Sequence, residues 1–142
     1  AAKASGASES NCKAIHSSTE IADISAGTIH QQCANYCMAS LSFSALLAKA
    51  LGVDGSKIES VKSNVELAEI SAGTVFQQIV CRLQGLVEIL ELAALARGVN
   101  ESLVSNAMST LRIAEISSDT VYQQEVNYLM AAMALLGLIA TG

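Results

Sequence analysis

The chain has 142 residues, a formal net charge of −5, 51% apolar residues, 15% charged residues, and no Pro or Trp. One domain with an aliphatic core is expected at this size, and the lack of Pro favours helices over a loop-rich β fold. No run of Lys or Arg supplies the electrostatic footprint of a nucleic-acid binder, and the sparse charge leaves little repulsion to hold copies apart.

The first predicted helix opens at Ser8, whose short oxygen-bearing side chain suits a first-turn cap. Cys12, Ile15, Thr19 and Ala22 give it a weak apolar face at helical spacing. It runs into a block reading IADISAGTIHQQ from Ile21. Inside that block Thr28 and Gln31 have the T-x-x-Q spacing of a capping box, in which the hydroxyl oxygen accepts from one amide and the Gln side chain returns to another. Gly27, just before the Thr, is expected to adopt a left-handed conformation. The second helix then runs to Gly52, a natural stop.

The same pattern returns twice. LAEISAGTVFQQ begins at Leu67 and IAEISSDTVYQQ at Ile113, each 46 residues after the copy before it. Equal spacing without a gap marks a tandem repeat. In that register Gly6-Ala7-Ser8 aligns with Gly52-Val53-Asp54 and Gly98-Val99-Asn100, so residues 1–142 divide into units 7–52, 53–98 and 99–142 of one domain. The third helix opens at Asp54 and carries Ile58, Val61, Val65 and Ala68, joined by Leu67 and Ile70, with β-branched residues that allow a kink near Asn64. The fourth starts at the box Thr74–Gln77, behind Gly73, and stops at Gly98. The fifth opens at Asn100 with Val104, Ala107, Leu111 and Ala114, and the sixth runs from the box Thr120–Gln123 towards Gly142. The expected fold is all-α: three tandem helical hairpins forming one six-helix bundle or short stack, with the more apolar second helices at the centre. The longest apolar stretches, Leu83–Ala96 and Val126–Ala140, are shorter than a bilayer span and are expected as buried helices.

No catalytic set emerges. The two histidines, His16 and His30, are not repeated; His30 falls in a column with Phe76 and Tyr122 and is expected to be partly buried. His30, Cys33 and Cys37 share a helix face but lack a fourth ligand, so no metal or other cofactor is expected. There is no G-x-S-x-G and no phosphate-binding Gly loop. Asp23, Glu69 and Glu115 recur at one position, expected to be a solvated helix face. Asn100-Glu101-Ser102 fits the glycosylation pattern, but Asn100 already serves as a cap. The four cysteines suggest two disulfides in an exported chain, preferably Cys12–Cys37 and Cys33–Cys81, against the alternative of four buried thiols. Gln32, Gln78 and Gln124 repeat as faithfully as the capping residues without being needed for the cap, which makes them candidates for a self-association surface.

The Ala/Ser bias, the Leu51-Gly52-Val53-Asp54-Gly55 junction, and Cys81 followed by the apolar Leu83–Ala96 stretch resemble the globular helical modules of spider silk proteins (spidroins). That resemblance implies an extracellular structural protein that assembles into fibre or glue, with no catalytic residues to carry over. Two functions follow as expectations. The first is a secreted, non-catalytic self-assembly module that forms homo-oligomers or fibres. The second is a secreted helical carrier of small apolar ligands such as lipids, for which the small residues Ala39, Gly85 and Ala131 at one column would leave room.

Overall fold

A computed structural model describes residues 2, 5–25 and 27–141, the side chains of Asp23, Ser25 and Thr141 excepted. Among the described residues the chain forms six α-helices: α1 (Glu9–Ser25), α2 (Ile29–Ala50), α3 (Gly55–Ile70), α4 (Val75–Arg97), α5 (Glu101–Ile116) and α6 (Val121–Thr141). The chain is all-α, as the periodicity requires. The helix α3 continues through Asn64 as one run, so the β-branched residues there do not break it.

The repeated block makes the same corner three times. Thr28, Thr74 and Thr120 accept from the amides of Gln31, Gln77 and Gln123 at 3.1, 3.2 and 3.2 Å. Each Gln returns its Oε1 to the amide of the residue before the Thr: Gly27 at 2.5 Å, Gly73 at 2.6 Å and Asp119 at 2.6 Å. The glycines at these corners are not left-handed, contrary to expectation; the positive φ values belong to Gly6, Gly52 and Gly98. At Gly27 and Gly73 a Cβ would meet the returning Gln oxygen at 3.3 and 3.4 Å, close but tolerable, as Asp119 at the third corner makes the same bond. Ala26 lies outside the described residues. At the other end of each unit, Gly52 and Gly98 close α2 and α4 at φ 99° and 94°, with Val53 and Val99 donating back to Ala48 and Ala94 at 2.9 and 3.1 Å. Asp54 and Asn100 then cap the next helix through the amides of Ser56 and Ser102, both at 2.9 Å, and Ser8 does the same more loosely for Asn11 at 3.4 Å.

The second helices of the units, α2, α4 and α6, form the centre. The helix α4 lies between the other two, and its Leu83, Val87, Ile89 and Leu90 are almost fully buried. The first turns of the three helices lie side by side, joined by a ladder of rings: His30 to Phe76 at 4.6 Å and Phe76 to Tyr122 at 5.3 Å, both edge-on. Each first helix packs on the second helix that follows it, and α3 and α5 also touch the second helix before them. No helix among the described residues is long and apolar enough to cross a membrane.

Candidate interaction surfaces

The two described members of the carboxylate column, Glu69 and Glu115, are half-buried rather than solvated. Glu69 is half-buried and holds Arg82 of α4 at 2.5 Å, and the same guanidinium donates to the carbonyl oxygen of Ala34 in α2 at 2.6 Å. In the third unit Glu115 bonds to Tyr128, whose hydroxyl also accepts from Gln84 at 2.9 Å. Burial, with Glu115 beside it, pushes the Tyr128 phenol up to about 12. These residues therefore clamp neighbouring units together: Arg82 and Tyr128 stand 46 residues apart and each reaches back to the helix of the preceding unit. The side chain of Asp23 lies outside the described residues.

The glutamines meant as an association surface split in the same way. Gln78 and Gln124 are half-buried in grooves against the preceding unit, Gln78 beside Ala34 and Asn35, and Gln124 beside Val80 and Cys81. Gln32, in the first of the three units, is exposed. His30 is exposed as well and meets Phe76 edge-on. His16, also exposed, packs on Phe43 at 5.1 Å.

All four cysteines are free thiols, and neither expected disulfide pair is bonded. The Cys33–Cys81 pairing fails on register. In the 46-residue alignment Cys33 matches Ile79 and Cys81 matches Asn35, a two-residue offset that turns a side chain about 200° around a helix. Cys33 is accordingly exposed on α2, whereas Cys81 sits in the groove lined by Ala68 and Ser71. Cys12 is buried in the core. Burial and the neighbouring Cys33 push the Cys37 thiol up to about 11. Among the described residues no three His, Cys, Asp or Glu side chains converge as a metal site. Asn100 uses its carboxamide oxygen on Ser102, as its capping role requires.

The conspicuous surface is apolar, and the sequence pattern placed it wrongly. Leu67 and Ile70, expected in the buried face of α3, are 65% and 82% exposed. Their repeat partners behave alike: Ile21 and Ile113 are both 69% exposed, and Ile24 and Ile116 are 86% and 87% exposed. Thus the end of every first helix presents the same pair of large aliphatic side chains to water. Buried faces instead use Ile58, Val61 and Val65 in α3 and Val104 and Leu111 in α5.

The small-residue column lines open surface grooves at two positions of three rather than an enclosed void. Ala39 lines an open groove of about 280 Å³ between α1 and α2, together with Ile15, Thr19 and Met38. Ala131 lines an open groove of about 210 Å³ between α5 and α6 with Ala107, Leu111 and Met130. In the middle unit Val65 fills the equivalent space by lying against Gly85. A third groove, about 350 Å³, opens between α2 and α6 above Leu86 of α4.

No family model, curated protein or solved structure matches this chain.

Proposed function

We propose that this chain is a non-catalytic self-assembly module of a secreted, silk- or glue-like structural material. One observation carries the proposal: three copies of an exposed aliphatic pair, Ile21/Ile24, Leu67/Ile70 and Ile113/Ile116, recur at the repeat spacing. Large apolar side chains scattered singly need no explanation, but a patterned set of six marks a contact surface. Three equal sites on one chain give multivalent contact, in which weak individual contacts add to strong association. The low charge and the spidroin-like texture of the sequence point the same way. The surface differs from the one expected, since Gln78 and Gln124 serve packing between units.

The test is to replace Ile24, Ile70 and Ile116 together by Ser and to follow association by light scattering and sedimentation. The wild-type chain should form reversible species larger than a dimer, and the triple variant should not. Unchanged large species in a folded triple variant would contradict the proposal.

The second reading, a carrier of small apolar ligands, draws on the α1–α2 and α5–α6 grooves. Ligand pockets usually run from about 300 to 1,000 Å³ and bury most of the ligand. Those grooves, at about 280 and 210 Å³, fall below that range, and the one between α2 and α6, at about 350 Å³, sits at its lower edge; all three lie open to solvent and would bury little of a ligand, which favours assembly. Native mass spectrometry separates the two: an apolar adduct on a monomer supports the carrier, and adduct-free oligomers support assembly.

A further inference from the structure

The helices α2, α4 and α6 present equivalent positions in different surroundings. Ala34, Val80 and Val126 occupy one repeat position, and the first two are buried while Val126 is 53% exposed. Leu41, Val87 and Met133 occupy another; Leu41 and Val87 are buried and Met133 is 71% exposed. The difference has a simple cause. The helices α2 and α4 are each followed by the second helix of another unit, and within the described residues α6 is not. The face of α6 therefore has the pattern of a helix–helix seam that no element among the described residues covers.

The opposite edge of the stack opens at the same place. Ser40 and Phe43 of α2 form one wall of the groove above Leu86, and Leu129, Met133 and Leu136 of α6 form the other. Among the described residues no charged side chain lines it. We infer that a second copy of this chain covers this groove, face to face across a two-fold axis, so that the α6 seam of each copy is completed by the other. The inference rests on the assembly reading above and adds a second, distinct contact to it.

Three features select this occupant. Within the molecule, equivalent seams are covered by another 46-residue unit, and a second copy brings such a unit with the matching shape. The described walls carry no charged side chain, so two chains of net charge −5 meet there without burying any of those charges, which would cost several kcal/mol per ion. Both unfinished edges line one groove, so a closed pair buries both at once, whereas head-to-tail addition would need them on opposite sides.

The experiment uses the full chain carrying Ile24→Ser, Ile70→Ser and Ile116→Ser, so that lateral association does not mask the pair, with oligomeric mass read by sedimentation equilibrium. The triple variant should be a reversible dimer. Adding Met133→Glu should weaken the dimer at least ~10-fold. The dilute protein should keep its helical circular dichroism and unfolding midpoint, because Met133 is solvent-exposed in the single copy. Ser40→Lys on the opposite wall should act in the same direction. A triple variant that is already monomeric, a dimer that ignores both groove variants, or an open series beyond dimer that Met133→Glu abolishes would each overturn the two-fold pair. Failure of the broader assembly reading is distinguishable, because it shows as a wild-type chain that never associates.

Discussion

Glu69 of α3 holds Arg82 of α4 at 2.5 Å with both side chains largely out of solvent, and through Arg82 the pair reaches the Ala34 carbonyl oxygen of α2. One ion pair thus ties three helices from two units. Replacing Arg82 by Ala strands a half-buried carboxylate and should cost about 2 kcal/mol; replacing Glu69 by Ala should cost about 1 kcal/mol, since Arg82 keeps its carbonyl acceptor. Denaturant unfolding of the two single variants and the double variant checks this, with a coupling of about 1 kcal/mol expected. Because the pair is shielded from solvent, added salt should change it little.

Gly85 leaves no room for a side chain between α4 and α3. A Cβ there would overlap Val65 Cγ2 and lie 3.5 Å from Leu41 Cδ1. Ala would gain about 1 kcal/mol in helix propensity, yet overpacking of this kind costs ~1–3 kcal/mol. Gly85→Ala should therefore be neutral to destabilising by about 2 kcal/mol. Gly85→Ala combined with Val65→Ala should recover part of the loss, which thermal unfolding would show.

Glu125 carries a buried Oε1 without a hydrogen-bond partner among the described residues. Burial lifts the Glu125 carboxyl above the ordinary carboxylate pKa, opposed by the nearby His30. The folded state therefore binds a proton that the unfolded chain has released, so stability falls as pH rises from the ordinary carboxylate range towards neutrality. Glu88 shifts the same way, through burial and then Glu91. Glu125→Gln should stabilise the protein at neutral pH by on the order of 0.5 kcal/mol, discounted because the residue is partly exposed. The gain should vanish near pH 4, as unfolding midpoints across pH would show.

The thiols should separate by reactivity. Cys33 is exposed, Cys12 is buried, and Cys37 with its pKa near about 11 stays a thiol at neutral pH. A maleimide added to the native protein should label Cys33 first, and labelling of Cys12 and Cys37 should wait for denaturant. Immediate labelling of Cys37 at a rate matching Cys33 would contradict the burial seen here.

The helices, their caps and their central layer were legible in the sequence because local rules govern them. A Thr followed three residues later by Gln, and a glycine at a helix end, act through bonds within a few residues. The surfaces were less legible because burial depends on neighbours. Leu67 and Ile70 sit close enough to the Ile58–Val61–Val65 face to look like part of it, and only the packing angle of α3 shows that they point outward. Glu69 and Glu115 read as solvated because their partners, Arg82 and Tyr128, lie 13 residues further along and on another helix. Cys33 and Cys81 looked equivalent until the two-residue offset was set against the turn of a helix. The open groove between α2 and α6 had no local signal: its walls, Phe43 and Met133, lie 90 residues apart.

Sedimentation velocity of the wild-type chain over a range from low to high micromolar tests the central claim most directly. Assembly predicts reversible, concentration-dependent species above the 14.7 kDa monomer, reduced by the Ile24/Ile70/Ile116→Ser substitutions. A single monomeric boundary at every concentration would contradict it.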